Sequence, residues 1–475
     1  MKRKGFTLLI ILALAFGVLG VIPVFAQAYS TSFTTSITYQ NVDTQDATSV
    51  QIYFYPNPDS TSPIIITRPT LPAGAGTSLF IGSLSEIDQG FRGSAIMLAD
   101  RRLVATLVQV PQSTTVKNRP LSNGFESGSP QILLATVLKN QFNYTSIFSV
   151  QNTDTEPNTI TVDFYNTSAS LVHSLSQTIE DGASYYVDAG QITQLGTSFN
   201  GSAVISAERS GGADGSIVAT VMELSTNSTG ASAFESVAQG GQTFYMASAL
   251  CNAFGGFNSA YAVQNTSLTT PTSVTVEYSN GATETANVGA GAKFSFLACN
   301  ATGMTGGFSG SATVTSTATD VVAIGKVNGL GMSTAFLGAA SGAPKLALPY
   351  VRWSQSQYTT GARQRANIAI QNVGSASIPA NALSVTYYDK NGTAVATHTF
   401  NSSIAVGAKV NSNPYWNSNS ALAEFGYYND GTFGGSAVVE CTAPGCEVVA
   451  ITRIQSFVPA TNETVGEDYN GIAIP

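Results

Sequence analysis

Four cysteines, two histidines, a few paired carboxylates and one aromatic-rich stretch are the residues of this 475-residue chain whose chemistry stands apart from its background. Cys441 and Cys446 flank Thr-Ala-Pro-Gly, where a hairpin turn is expected. Cross-strand neighbours in a hairpin have the separation that a disulfide needs. Cys251 and Cys299 are then the second expected pair, closing a loop whose constraint on the unfolded chain is worth ~4 kcal/mol. Paired cysteines belong to an oxidising compartment. No Cys-x-x-Cys occurs, so a metal or redox site of that kind is not expected.

His173 lies in LVHSLSQ and His398 in ATHTFNS, both ordinary strand contexts. A Ser-His-Asp triad or a zinc site needs convergence that this spacing does not supply. The serines of the string FxGSA are not a nucleophile elbow, which needs G-x-S-x-G between a strand and a helix. A P-loop and a dinucleotide fingerprint are also missing from the sequence. The expectation is therefore a non-catalytic protein with no cofactor and no metal. Asp43 with Asp46, and Asp154 with Glu156, could offer oxygen ligands to calcium. Their density is too low for a calcium loop, and they read as solvated turn residues. Sequons at Asn143, Asn166, Asn227, Asn300, Asn391 and Asn462 are what a chain so rich in Asn, Ser and Thr generates by composition; their glycosylation stays open.

One stretch is a candidate binding site. The interval from Gly407 to Phe433 is longer than its counterparts Gly74–Phe91, Gly182–Phe199 and Gly289–Phe308. The excess carries Tyr415, Trp416, Tyr427, Tyr428 and Asp430 among Asn and Ser. Aromatics beside polar groups stack on sugar rings or anchor a protein partner. They also pack local mini-cores, which is the commoner role.

The elements that carry these residues repeat. FxGSA occurs at Phe91, Phe199, Phe308 and Phe433, and Gln-Asn follows an alternating run at Gln40, Gln151, Gln264 and Gln371. Two markers that keep step four times define a repeated unit. Before Gln-Asn, Ile37 and Tyr39 match Phe148 and Val150, Tyr261 and Val263, and Ile368 and Ile370. The residues between them, Thr38, Ser149, Ala262 and Ala369, should face the other way. In the next strand Val50, Ile52 and Phe54 match Ile160, Val162 and Phe164, then Val274, Val276 and Tyr278, then Leu383, Val385 and Tyr387. A period of two with one apolar face is a half-buried strand. The Asn that follows fits a strand-ending turn, bonding nearby backbone and tolerating positive φ. Gly-bearing turns are expected at Gly74, Gly182, Gly289 and Gly407, and the Gly of FxGSA permits a bulge or close backbone approach.

Six or seven short strands per unit predict an all-β fold of four tandem Ig-like antiparallel β-sandwich domains, over residues 29–115, 130–226, 243–331 and 344–475. The linkers Pro111–Pro130, Ser225–Gln242 and Gly331–Pro344 hold the short apolar pieces NGFES, AFESV and AFLGA, and DYNGIAIP resembles them. These pieces are expected to add an edge strand to a neighbouring domain, giving a string of beads with limited flexibility. The pattern QN…VTVxYY…GAxxxF…GFxGSAxVxS…VVAIV resembles tandem Ig-like repeats of large secreted bacterial surface proteins. That resemblance spans nearly the whole mature chain. It implies a cell-surface role and carries no catalytic residues.

Lys2, Arg3 and Lys4, then an apolar run from Phe6 to Ile22 broken by Pro23, predict a signal peptide over residues 1–28, cut after Ala26 or after Ala28. An uncleaved anchor is the alternative. GFTLLI also resembles the start of a type IV pilin, although pilins carry Glu where Ile10 stands and their helix runs on where Pro23 breaks this one. Only 10% of residues are charged and the net charge is −8, against roughly 25% charged in an average soluble protein. A thin acidic surface disfavours nucleic acid as a partner. The sequence therefore predicts a secreted structural or adhesive surface protein, with other surface proteins or glycans as partners. Membrane contact is expected only through the signal segment if it is retained. A carbohydrate- or protein-binding module using the aromatic loop, or a pilin-like filament subunit, are the alternatives.

Overall fold

The computed structural model describes residues 27–56, 62–416 and 422–475, so nearly all of the expected signal segment lies outside the described residues. The chain folds into antiparallel β-sheets of the β-sandwich class, and no described helix is long and apolar enough to cross a membrane.

The alternating positions are core. Ile37, Tyr39, Phe148, Val150, Tyr261, Val263, Ile368 and Ile370 are buried, as are all twelve apolar positions of the following strand. Each such side chain contributes roughly 1.5–3 kcal/mol by leaving water. Four large hydrophobic clusters result, one for each successive stretch of chain. The opposite face is less open than the alternation implies, since Thr38 and Ala262 are buried too. Thr38 shares a 2.9 Å hydrogen bond with Ser78.

In the second stretch one sheet runs Ser184–Asp188, Tyr144–Asn152, Ile217–Ser225, Ala231–Glu235, and the other Leu171–Ile179, Asn158–Asn166, Phe199–Arg209, Gln131–Lys139. The same order recurs in the other three stretches. The first lacks the last strand of the second sheet, and the fourth adds short strands at sheet edges. The linker pieces form strands, but each pairs with its own stretch: Leu121–Asn123 with Leu103–Pro111, Ala231–Glu235 with Ile217–Ser225, Met332–Leu337 with Val321–Gly329, and Glu463–Asn470 with Val448–Val458. The expected augmentation of a neighbouring domain is thereby corrected.

The Asn of Gln-Asn does the same work four times. Asn152 Nδ2 donates to the carbonyls of Glu156 (2.8 Å) and Ile179 (3.1 Å), while its Oδ1 accepts from Asp154 N at 2.9 Å. Asn41, Asn265 and Asn372 make the equivalent set. It acts from extended backbone, not from positive φ. Positive φ falls on the turn glycines Gly74, Gly182, Gly291 and Gly407; the third is Gly291, two residues beyond the expected Gly289.

The Gly of FxGSA lets two backbones meet, since a Cβ at Gly201 would stand 2.0 Å from the Tyr165 carbonyl oxygen. Its Phe packs edge-to-face in the core: Phe91 on Phe54, Phe199 on Phe164, Phe308 on Tyr278. The fourth copy departs from this. Phe425 takes the place against Tyr387, at 5.7 Å, and Phe433 stays half exposed.

FxGSA is also where one stretch meets the next. Ser94 Oγ donates to the Gly182 carbonyl at 2.6 Å, and Ser311 Oγ to that of Gly407 at 2.5 Å. At the second junction Lys293 Nζ donates to Asn200 Oδ1 and Thr136 Oγ1, both at 2.8 Å, and to the Gly201 carbonyl at 3.4 Å. Ser436 Oγ of the last stretch reaches the Gly74 carbonyl of the first at 3.4 Å. The variable residue of the motif joins in: Arg92 lies over the Tyr186 ring, and Lys409 donates to Ser309. The last stretch thus docks on the first with the surface that every earlier stretch offers its successor. The contacts close into a ring, in place of a string of beads.

The four linker strands line the inside of that ring. Asn470 exchanges hydrogen bonds with the Leu337 backbone, and Asn123 Nδ2 donates to the Asn470 carbonyl at 2.8 Å. The buried carboxylates of Glu235 and Glu467 accept from the backbone N–H groups of Asn123 and Arg119, gripping the same short piece of the first stretch from two sides. Lys326 pairs with Glu223 at 2.5 Å and Arg453 with Asp468 at 2.6 Å.

Candidate functional site

The long interval of the fourth stretch begins with Lys409–Ser412 along strand Gln364–Asn372, then a single 3-10 turn, Pro414–Trp416. Asn413 Oδ1 caps that turn, accepting from the N–H groups of Tyr415 and Trp416 at 3.0 Å each. Residues 417–421 lie outside the described residues, and the chain re-enters at the short strand Glu424–Phe425 beside Trp353–Ser354.

A stack of rings and cations fills the base of the loop. The Arg352 guanidinium lies 4.6 Å from the Tyr350 ring centre and 4.8 Å from that of Phe433. Arg363 sits 4.5 Å over Tyr427, and Arg365 lies between Tyr358 (4.3 Å) and Trp353 (4.9 Å). Tyr415 stacks on the Trp353 indole at 6.1 Å. Cation–π contacts of this kind contribute ~0.5–2 kcal/mol each, more where water is excluded. Burial alone would raise the Glu424 carboxyl, but hydrogen bonds from Ser356 and Ser354 and the Arg363 guanidinium outweigh it and hold it below the usual carboxylate range.

Three of the five candidate residues are committed to internal bonds. The Tyr427 hydroxyl accepts from Gln364 N at 2.8 Å, and burial pushes its pKa up to about 12. The Tyr428 hydroxyl accepts from Lys390 N at 2.8 Å, under the Lys390 ammonium. Asp430 pairs with that ammonium at 2.5 Å; the Lys390 bond, with Thr432, holds its carboxyl far below the usual range. Tyr415 and Trp416 differ, with 38% and 54% of their surface exposed on adjacent positions. Tyr415 is backed by the Trp353 indole, and Trp416 follows it in the same turn. Sequence reasoning missed the residues that fill the base of the loop, Trp353, Tyr358, Arg352, Arg363 and Arg365, because they come from a separate part of the chain.

The other candidates are accounted for locally. Both disulfides are present, Cys251–Cys299 and Cys441–Cys446. His173 stacks on Phe164. His398 Nδ1 meets Ser412 Oγ at 2.9 Å, and the Tyr387 hydroxyl meets the same oxygen at 2.7 Å. Ser412 is fully buried, and burial lowers the His398 pKa. Asp43 and Asp154 accept from backbone N–H groups of their own turns, and Asp46 from Ala73 N.

No protein-family model matches the chain, and no curated protein is similar to it in sequence.

Proposed function

We propose that this is an exported, non-catalytic surface protein whose four tandem Ig-like units, kin to bacterial surface repeats, form one rigid ring-shaped scaffold. The observation that carries this reading is the reuse of FxGSA at the junctions, with Ser436 on Gly74 closing the circle. A repeated motif devoted to holding its own neighbours serves shape and rigidity. The charged start followed by an apolar run, the sparse charge and the two disulfides support export to an oxidising space. Surface labelling of intact cells with a membrane-impermeant reagent, followed by fractionation, tests it. Labelling of the native protein is expected; a cytoplasmic pool with four free thiols would overturn the assignment.

A second reading adds recognition to the scaffold. It rests on two neighbouring part-exposed rings, Tyr415, which stacks on Trp353, and Trp416. Such rings suit the apolar face of a sugar ring or a protein side chain. Binding on a glycan array that persists unchanged in Trp416→Ala would remove it. A pilin-like filament subunit is a further reading carried by the sequence alone, and it requires processing after Gly5.

A further inference from the structure

The beginning of the described chain is built into the second stretch. Ala28 has no exposed surface and packs with Val116, Leu224 and Ala231, and its N–H donates to the Ser228 carbonyl at 2.9 Å. The Tyr29 hydroxyl donates to the Asp188 carboxylate, with its two oxygens at 2.9 and 3.0 Å. It does so over Gly190, where a Cβ would stand 2.3 Å from that hydroxyl. The hydroxyls of Ser30 and Thr31 donate to the Gln27 carbonyl, securing the turn Ala28–Ser30. Gln27 itself is exposed.

Two cleavage points are open by sequence, and the fold treats them differently. A cut after Ala28 would delete the buried methyl, its N–H bond to the Ser228 carbonyl and the Gln27 carbonyl that Ser30 and Thr31 hold. A buried methyl and the hydrogen bonds around it are each worth about 1 kcal/mol or more to the fold. A cut after Ala26 places the new α-ammonium on Gln27, in water, with every contact kept.

On the export reading above, we infer that processing occurs after Ala26 and that the new N-terminal Gln27 is a modification site, closing to pyroglutamate. The α-amino nitrogen attacks the side-chain amide carbon, a lactam C–N bond forms, and the amide nitrogen leaves as ammonia. The step needs no oxidant and no co-reactant. It removes the terminal charge and leaves the Gln27 carbonyl free for Ser30 and Thr31.

The test is intact-mass and N-terminal peptide analysis of the native protein from the extracellular fraction. A chain starting at Gln27, lighter by one ammonia, is expected. A start at Tyr29 overturns the cleavage assignment and leaves export standing, and an uncyclised Gln27 overturns only the lactam. An uncut chain, or one cut after Gly5, overturns the export reading itself. Thermal unfolding of secreted chains forced to begin at Gln27 or at Tyr29 supplies a second measure. The Tyr29 form is expected to melt several degrees lower, and equal melting points would contradict the role given to Ala28.

Discussion

The hydroxyl of Ser311 lies 2.5 Å from the carbonyl oxygen of Gly407, joining a motif serine of one stretch to the left-handed glycine of the next. The pairing of Ser94 with Gly182 is its counterpart at another junction. Junction, turn and motif are one device, and its members can be removed singly.

The motif glycine is the most sensitive of them. A Cβ at Gly93 would stand 1.9 Å from the Tyr55 carbonyl oxygen, and at Gly201 2.0 Å from that of Tyr165. Gly201→Ala should cost about 2–3 kcal/mol, because backbone and not a flexible side chain must yield. Ser311→Ala should cost about 1 kcal/mol, the worth of one hydrogen bond. Denaturant unfolding of the two variants gives the ordering.

Asn152 bonds backbone on both sides of its turn. Asn152→Leu should therefore destabilise by about 2–4 kcal/mol, since three carbonyls, the Asp154 N–H and the Asn158 amide all lose their bond to it. Asn152→Asp should be no better, since a carboxylate cannot donate to those carbonyls. Chemical unfolding monitored by tyrosine fluorescence would show both losses.

How far the sequence reached is visible in these residues. The core faces and the Asn of Gln-Asn were legible because a period of two and a turn residue are local signals. The serine of FxGSA was not, because its partner lies about one repeat further along and no local pattern couples the two. The fourth copy misled in the opposite sense: the motif keeps Phe433, yet Phe425 of the longer loop packs on Tyr387. The aromatic loop was found as a cluster of residue types. Its division into committed Tyr427 and Tyr428 and exposed Tyr415 and Trp416 depended on Gln364, Lys390 and Trp353, brought from elsewhere by folding.

The two disulfides should differ in weight. Cys251 and Cys299 are 48 residues apart and Cys441 and Cys446 only 5. Loop-closure entropy then gives about 4 and about 2 kcal/mol respectively. Cys251→Ala with Cys299→Ala should lower the melting temperature more than the pair Cys441→Ala with Cys446→Ala.

The ring interior should be sensitive to pH. Burial raises the Glu235 carboxyl to about 7 and the Glu467 carboxyl to about 8. Both folded values exceed the unfolded one, so the stability these groups favour is full at acid pH. It declines as the pH rises from the ordinary carboxylate range through about 7 to 8. Burial lowers the Lys293 ammonium to about 7, so its penalty is felt at acid pH and fades above that value. Glu467→Gln should remove part of the alkaline loss, about 2–4 kcal/mol at pH 8 and little at pH 5. Melting temperatures of the wild type and this variant across that interval measure it.

Closure of the ring is tested most directly where the last stretch meets the first. A Cβ at Gly76 would stand 3.1 Å from the Cβ of Ser436, close enough for a disulfide after a small adjustment. In the double variant Gly76→Cys, Ser436→Cys, secreted under oxidising conditions, an intramolecular bridge between these positions is expected in the mass-spectrometric peptide map. Two free thiols, or bridges found only between molecules, would mean that the fourth stretch does not dock on the first.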